Sequence, residues 1–295
     1  MPAAMVLAAG LGTRLRPLTN ECAKPLVPVG DRPALAHVLD RLRAVGAAPL
    51  VINAHHRAED LERFAAAHAP AARVSVEPDL LGTAGGLARA AAWLGDGDVL
   101  VWNADVLADI DLPALLAEAR RGGAPGTLVI QRRPAGEGPV GLDREGRVVR
   151  LRAERFDEEH AGAEFLGVSV LGAALRVGLP PRGGLVEDAW LPLLRRGERL
   201  ATFEHAGRWR DIGGVARYLD ANLDWLRVAS RAAWIGPGAR VSAGVSLEET
   251  VLGAGADAVG SGVLARCVVW PGARAHAPLH DAVVTPWRVV ARDEA

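Results

Sequence analysis

Residues 3–8 form a short apolar run stopped by Gly10 and Gly12, the pattern of a buried strand entering a glycine-rich loop. From Pro33 the spacing turns helical: Ala34, Val38, Leu42 and Val45 share one face, and Gly46 stands where a helix stops. Residues 50–53 predict a second strand, 59–67 a helix and 73–77 a third strand. Residues 83–94 predict a helix entered through Gly85 and Gly86, and 98–105 a strand ending in polar residues. Asp111 precedes an apolar-periodic stretch as a helix cap would. This β-α-β alternation predicts an α/β fold with a mostly parallel sheet covered by helices on both faces. Ligands of such sheets bind beyond the carboxyl ends of the strands. The glycine loop, Asn53, Glu77 and Asp105 all fall at those ends.

The pattern changes twice more. Between about 125 and 171, strands over 127–133, 140–143, 147–152 and 164–171 with short turns predict an antiparallel half, so the sheet as a whole is mixed. A helix over 187–197, short strands over 200–205 and 208–212 and a helix over 214–228 follow. After Ser230 apolar residues recur near every sixth position, at Ile235, Val241, Leu247, Val259 and Val268, with glycine-containing turns between them. That spacing predicts a short left-handed parallel β-helix of hexapeptide repeats. The alternative is an irregular segment rich in Ala and Gly. The expected organisation is a domain over 1–229, the repeats over 230–287 and a tail over 288–295.

Half of the 295 residues are apolar but only 4% are aromatic, so the core must be built from Val, Leu and Ala. A net charge of −1 speaks against nucleic-acid or membrane-surface partners, whose basic patches raise the isoelectric point. No apolar run approaches the roughly 18 residues of a membrane span, and the N-terminus lacks the basic start of a secretory signal. Cys22 and Cys267 form no metal or redox pattern, so a cytoplasmic location is expected. Of 34 basic residues, 33 are Arg and one is Lys24. Where Arg replaces Lys almost everywhere, the surviving lysine marks a place where a planar guanidinium does not serve.

The candidate chemistry begins in the loop. Residues 8–19 contain Gly10, Gly12, Thr13, Arg14 and Arg16, and Ala23-Lys24-Pro25 follows. Backbone N–H groups of such a loop can cradle phosphate oxygens, and three cations around it suit a triphosphate. It is neither a Walker A loop nor the dinucleotide fingerprint. A second constellation is Asp105 with Asp211, two strand-end carboxylates from distant segments, a donor set that suits Mg²⁺. A third is Glu77 with residues 81–86, where a glycine-rich helix start permits close approach by a flat base.

These strings resemble the signature of the sugar-1-phosphate nucleotidyltransferases, the NDP-sugar pyrophosphorylases. The resemblance covers nearly the whole chain: residues 8–25, 81–86, 103–105, 209–214 and the hexapeptide-like tail. Ala104 and Gly214 are small departures from it, where a Gly and a Thr are common. The resemblance implies a Rossmann-like nucleotidyltransferase domain that transfers a nucleotidyl group from an NTP to a sugar 1-phosphate. It implies Arg14 and Lys24 as catalytic residues and Mg²⁺ held by Asp105 and Asp211. Ala8, Ala9, Gly10, Gly12, Thr13, Glu77, Gly82, Thr83 and Gly85 are implied around the nucleotide. Asn103, Glu164, Gly167 and Glu187 are implied around the sugar. Residues 81–85 look most like mannose-1-phosphate guanylyltransferases, which points to GTP and mannose 1-phosphate. The alternatives are a uridylyl- or thymidylyltransferase for N-acetylmuramate or glucose-type phosphates, and a non-catalytic nucleotide-sugar sensor subunit. The repeats are expected to serve as a homo-oligomerisation or regulatory platform. His276 and His280 lack the supporting motif of an acyltransferase.

Overall fold

The computed structural model describes residues 1–293. They divide into two compact units, Met1–Gly10 with Val38–Trp209, and Leu11–His37 with the chain from Arg210 onward.

The first unit is built on a sheet of ten strands. In chain order they are β1 (Ala3–Leu7), β2 (Leu50–Ala54), β3 (Arg73–Val76), β4 (Val99–Asn103), β5 (Gly126–Arg133), β6 (Val140–Leu142), β7 (Val148–Leu151), β8 (Glu154–Arg155), β9 (Ala161–Leu171) and β10 (Leu200–Glu204). The order across the sheet is β8-β7-β6-β9-β4-β1-β2-β3, with β5 pairing β9 and β10. β1 runs parallel to β2 and β4, and β2 to β3. β1, β2 and β4 are buried along almost their whole length, as parallel strands covered on both faces are, whereas the edge strand β3 opens with the exposed Arg73. β9 is antiparallel to β4, β5 and β6 and begins the other half. The helices are α1 (Ala34–Ala44), α2 (Ala58–His68), α3 (Gly82–Leu94) and α4 (Leu112–Gly122). Asp111 Oδ1 accepts the Ala114 N–H at 3.0 Å, so the expected cap of α4 is in place. Met5, Val51, Leu87, Val99, Val101, Leu128, Ile130 and Trp190 belong to one buried core, each large apolar side chain contributing about 1.5–3 kcal/mol on burial.

Three boundaries differ from expectation. α3 starts at Gly82, so Gly85 and Gly86 lie within its first turns rather than before it. The fourth strand stops at Asn103, and the chain turns through Ala104 and Asp105 into a short strand, Val106–Ala108. The helix expected over 187–197 opens as a π-turn, Val186–Trp190, and continues as α5 (Leu191–Arg195). Pro192 has no N–H to donate one turn back, and the wider turn accommodates the loss.

The second unit contains three 3₁₀ turns, Thr13–Leu15, Leu18–Asn20 and Lys24–Leu26, then α6 (Val215–Val228) and stacked coils of strands. The coils pair in parallel with a 17-residue offset: Ala233 opposite Thr250, Val251 opposite Val268, Arg240 opposite Asp257 and Asp257 opposite Arg274. Small buried side chains fill them, among them Ala256, Ala258, Leu264, Val268, Ala275 and Val283. Of the recurring positions, Val268 is buried while Val241, Leu247 and Val259 are half-buried. Ile235 is 54% exposed, although Leu252 opposite it is fully buried. Ile235 lies on the first coil, with no earlier coil stacked on it. The stack closes with a hairpin in which Val289–Ala291 runs antiparallel to Ala282–Val284. The last two residues of the expected tail, Glu294 and Ala295, lie outside the described residues.

Candidate active site

In the first unit, the end of β1 is flanked in register by Asn53 of β2 and Asn103 of β4. Ala8 and Ala9, just beyond β1, are buried, while Gly10 is exposed. The Ala8 N–H donates to Asn53 Oδ1 at 2.7 Å, and Asn53 Nδ2 donates to Glu77 Oε1 at 2.7 Å. Glu77 Oε2 accepts the Leu81 N–H at 3.1 Å. One amide and one carboxylate therefore tie the ends of three parallel strands to the start of α3. Glu77 is only 1% exposed, and a buried carboxylate is tolerated when both oxygens find donors. Glu77, expected beside the nucleotide, is thus buried with both carboxylate oxygens engaged by Asn53 and Leu81. A Cβ on Gly86 would stand 2.8 Å from both Asn53 Nδ2 and Glu77 Oε1, so the missing side chain is the space the network occupies. Asn53 announces this role in the sequence only as a polar residue closing an apolar strand.

Gly82, Thr83 and Gly85 meet the chain's own backbone. A Cβ on Gly82 would collide with Gly183 O, and one on Gly85 would lie 2.7 Å from Pro181 O. Gly183 O accepts the N–H groups of Ala84 and Gly85 at 2.9 and 3.4 Å, and the Leu185 N–H donates to Thr83 Oγ1 at 2.8 Å. The 181–185 loop thus satisfies the helix-start donors expected to face a base. Glu187, in the π-turn that follows, is exposed and ion-paired with Arg152. Its neighbour Asp188 accepts the Gly184 N–H at 2.8 Å, which makes it a local cap.

Asn103 and Gly167 come together. Gly167 lies where the β9 register shifts between Phe165 and Ser169. Its φ of +70° suits glycine, and a Cβ there would stand 2.8 Å from Asn103 Nδ2. Glu164 is half-buried opposite Gln131, three residues back along β9. Asp105 is half-buried in its turn. Ala104, whose N–H donates to Leu7 O at 3.0 Å, is not among the residues with positive φ, so alanine fits there.

In the second unit, Gly12 adjoins Lys24: a Cβ on Gly12 would lie 3.2 Å from Lys24 Cβ and 2.8 Å from Thr19 Cγ2. Thr19 Oγ1 donates to Gly12 O at 2.9 Å and fixes the turn. Thr13 and Arg14 are exposed. Arg14 and Asp211 meet across Gly213, whose Cβ would stand 3.5 Å from Arg14 Nη1 and 2.5 Å from Asp211 Oδ1. Asp211 Oδ2 accepts from Arg217, whereas Oδ1 is buried with no hydrogen-bond partner. An orphaned buried carboxylate oxygen is the kind of donor a hard divalent cation takes.

A model of the nucleotidyl transferase family matches residues 3–227. The chain belongs to the sugar-1-phosphate nucleotidyltransferase family. The chain is 31% identical to a mannose-1-phosphate guanylyltransferase of Mycobacterium tuberculosis, over 93% of this chain and 81% of that one. It is 30% identical to a mannose-1-phosphate guanyltransferase of Candida albicans over 77% of this chain, and the match spans 65% of that relative's length. In fold it is similar to HddC from Yersinia pseudotuberculosis complexed with GMP-PN, with a TM-score of 0.65 and 19% identity over 76% of this chain and 100% of that one. A putative glucose-1-phosphate thymidylyltransferase from Bacillus anthracis gives a TM-score of 0.62 at 19% identity, over 75% of this chain and 94% of that one. Among the described residues, no helix is long and apolar enough to cross a membrane.

Proposed function

We propose that the protein transfers a nucleotidyl group from an NTP to a sugar 1-phosphate, releasing pyrophosphate, with GTP and mannose 1-phosphate as its substrates. The observation that carries this reading is the chain's single lysine, its stem set against Gly12 of the glycine-rich loop. The choice of GTP and mannose 1-phosphate is supported by residues 81–86 and by the relatives at about 30% identity that bear that name.

In this reaction a phosphate oxygen of the sugar 1-phosphate attacks the α-phosphorus in line, and pyrophosphate departs opposite. The attacking group needs no strong base, because a phosphate monoester is mostly dianionic at pH 7, with a second pKa of about 6. What remains for the protein is positioning and neutralisation of charge. Lys24, a compact ammonium, is assigned to the α-phosphate and the incoming sugar phosphate. Arg14 is assigned to the leaving pyrophosphate. Backbone N–H groups of the glycine-rich loop are assigned to phosphate oxygens. Mg²⁺ is assigned to Asp105 and Asp211, and the unpartnered Oδ1 of Asp211 supports the fit. When bound, it neutralises phosphate charge. Among the described residues no three His, Cys, Asp or Glu side chains gather around one point, and Mg²⁺ needs none, since one or two carboxylates with phosphates and water suffice.

The coils after residue 230 are assigned to a left-handed hexapeptide β-helix serving homo-oligomer assembly; their 17-residue parallel offset supports the stacking of coils in this reading. The protein is placed in the cytoplasm, without nucleic-acid or membrane partners.

The test is pyrophosphate release from four NTPs against a panel of sugar 1-phosphates, with and without Mg²⁺. The expected result is Mg²⁺-dependent release dominated by GTP with mannose 1-phosphate. Dominance of another pair would replace the substrates and keep the reaction. No release from folded protein would overturn the reaction.

A further inference from the structure

The segment bearing Lys24 has little regular structure of its own. Its 3₁₀ turns are three residues each, and their hydrogen bonds are poorer in geometry than those of an α-helix. Something else must hold the ammonium in place. Glu21, three residues before Lys24, has a side chain only 7% exposed. Its Oε1 accepts from Thr285 Oγ1 at 3.1 Å and from Arg288 Nε at 2.8 Å. Both donors come from the turn of the closing hairpin. That turn is itself braced: Thr285 N–H donates to Arg288 O at 2.8 Å, and Thr285 Oγ1 accepts the N–H groups of Trp287 and Arg288 at 3.2 and 3.1 Å. The hairpin is locked to the coils by the parallel pairing of Val283 with Val268. Between Glu21 and Lys24 lie Cys22, half-buried, and Ala23, only 1% exposed, so the connection is short and packed.

The far side of the segment is tied as well. Pro28 O accepts from Tyr218 Oη at 2.5 Å, and that oxygen accepts from Trp270 Nε1 at 3.0 Å. The Gly30 N–H donates to Asn222 Oδ1 at 2.8 Å. Of these ties, only the one at Glu21 is an ion pair.

We propose that the closing hairpin of the coils positions Lys24, with Arg288 and Thr285 acting through Glu21. Arg288 is a positioning residue in this account. The consequence for turnover rests on the reading of Lys24 given above, whereas the mechanical link does not.

The single lysine makes the link directly observable. Protein grown on ¹³C-lysine gives one set of ε-CH₂ signals, all from Lys24. Arg288→Gln and Glu21→Gln should each shift or broaden those signals. Each should also lower kcat about tenfold with KM for the NTP within about twofold, since small displacements of a positioned group cost rate. The double variant should be no worse than either single one, and Arg288→Lys should recover most of the loss. Trp287→Ala, at the exposed tip of the turn, should move neither readout. If Arg288→Gln does not fold, Thr285→Val probes the same contact more gently. Unchanged Lys24 signals in folded Arg288→Gln and Glu21→Gln would overturn the proposal. Shifted signals in a protein that releases no pyrophosphate from any substrate pair would uphold the positioning and overturn the reaction instead.

Discussion

The segment after β3 and the loop after β1 are both glycine-bearing and both carry residues expected at the substrates, yet they are held by different means. Residues 77–86 are fixed through regular elements: Glu77 and Asn53 lie at strand ends, Gly86 lies in a helix, their bonds close a small buried network, and the backbone of 181–185 satisfies the helix start. Residues 11–30 have short turns and one two-residue strand, Pro28–Val29, and are fixed from a distance by Arg288, Thr285, Tyr218 and Asn222. Regular elements supply the first site with its geometry. The second takes its geometry from side chains far along the chain, and its own backbone stays irregular, with Arg14 and Arg16 exposed and Lys24 half-buried. Damage to the first should therefore register as lost stability, and damage to the second as lost rate.

The largest effect is expected at Lys24. Lys24→Ala should lower kcat a hundredfold or more, as loss of a charge contact made in the transition state does, with little change in melting temperature. Lys24→Arg should recover little, because a planar fork cannot replace a compact ammonium. Steady-state pyrophosphate release and thermal melting together decide it. Near-normal turnover in Lys24→Ala would leave the lysine without a catalytic role.

Next comes Glu77. Glu77→Ala leaves the Asn53 amide and the Leu81 N–H without their buried acceptor, a loss of roughly 2–3 kcal/mol. The melting temperature should fall by about 5–10 °C in a protein of this size. A folded variant with unchanged melting but no nucleotide binding would move Glu77 from support to contact.

Gly86→Ala asks the same question more gently. The added Cβ would press on Asn53 Nδ2 and Glu77 Oε1 at 2.8 Å, and overpacking of this kind costs about 1–3 kcal/mol. Thermal melting should show a smaller drop than Glu77→Ala, and the two changes should not add, since they act on one network.

The same contrast explains what could be read from the sequence. The strand and helix alternation, the Asp111 cap and the polar strand ends were legible because each follows from spacing within a few residues. The burial of Glu77 was not, since it depends on bonds to Asn53 and Leu81 across three elements. Gly167 was named for the sugar side through family resemblance, but its positive φ comes from a register shift that no local pattern announces. The Glu21–Arg288 pair joins residues 267 positions apart, beyond the reach of any periodicity. Ile235 fits the hexapeptide spacing and is still exposed, because the spacing does not say which coil lies at the end of the stack.

The smallest effect tests the charge balance around Asp211. Arg217 pairs with its Oδ2 while Oδ1 stays buried and unpartnered, so one cation already occupies half of the carboxylate. Arg217 is 62% exposed, and an ion pair that open to water contributes at most about 1 kcal/mol. Arg217→Gln removes a competing positive charge, so Mg²⁺ affinity should rise by no more than about fivefold. Calorimetric Mg²⁺ titration measures this without turnover. Weaker Mg²⁺ binding in the variant would mean that Arg217 orients the carboxylate rather than competing for it. The lost contact would then belong with Thr19 and Gly12 among the bonds that shape the irregular unit.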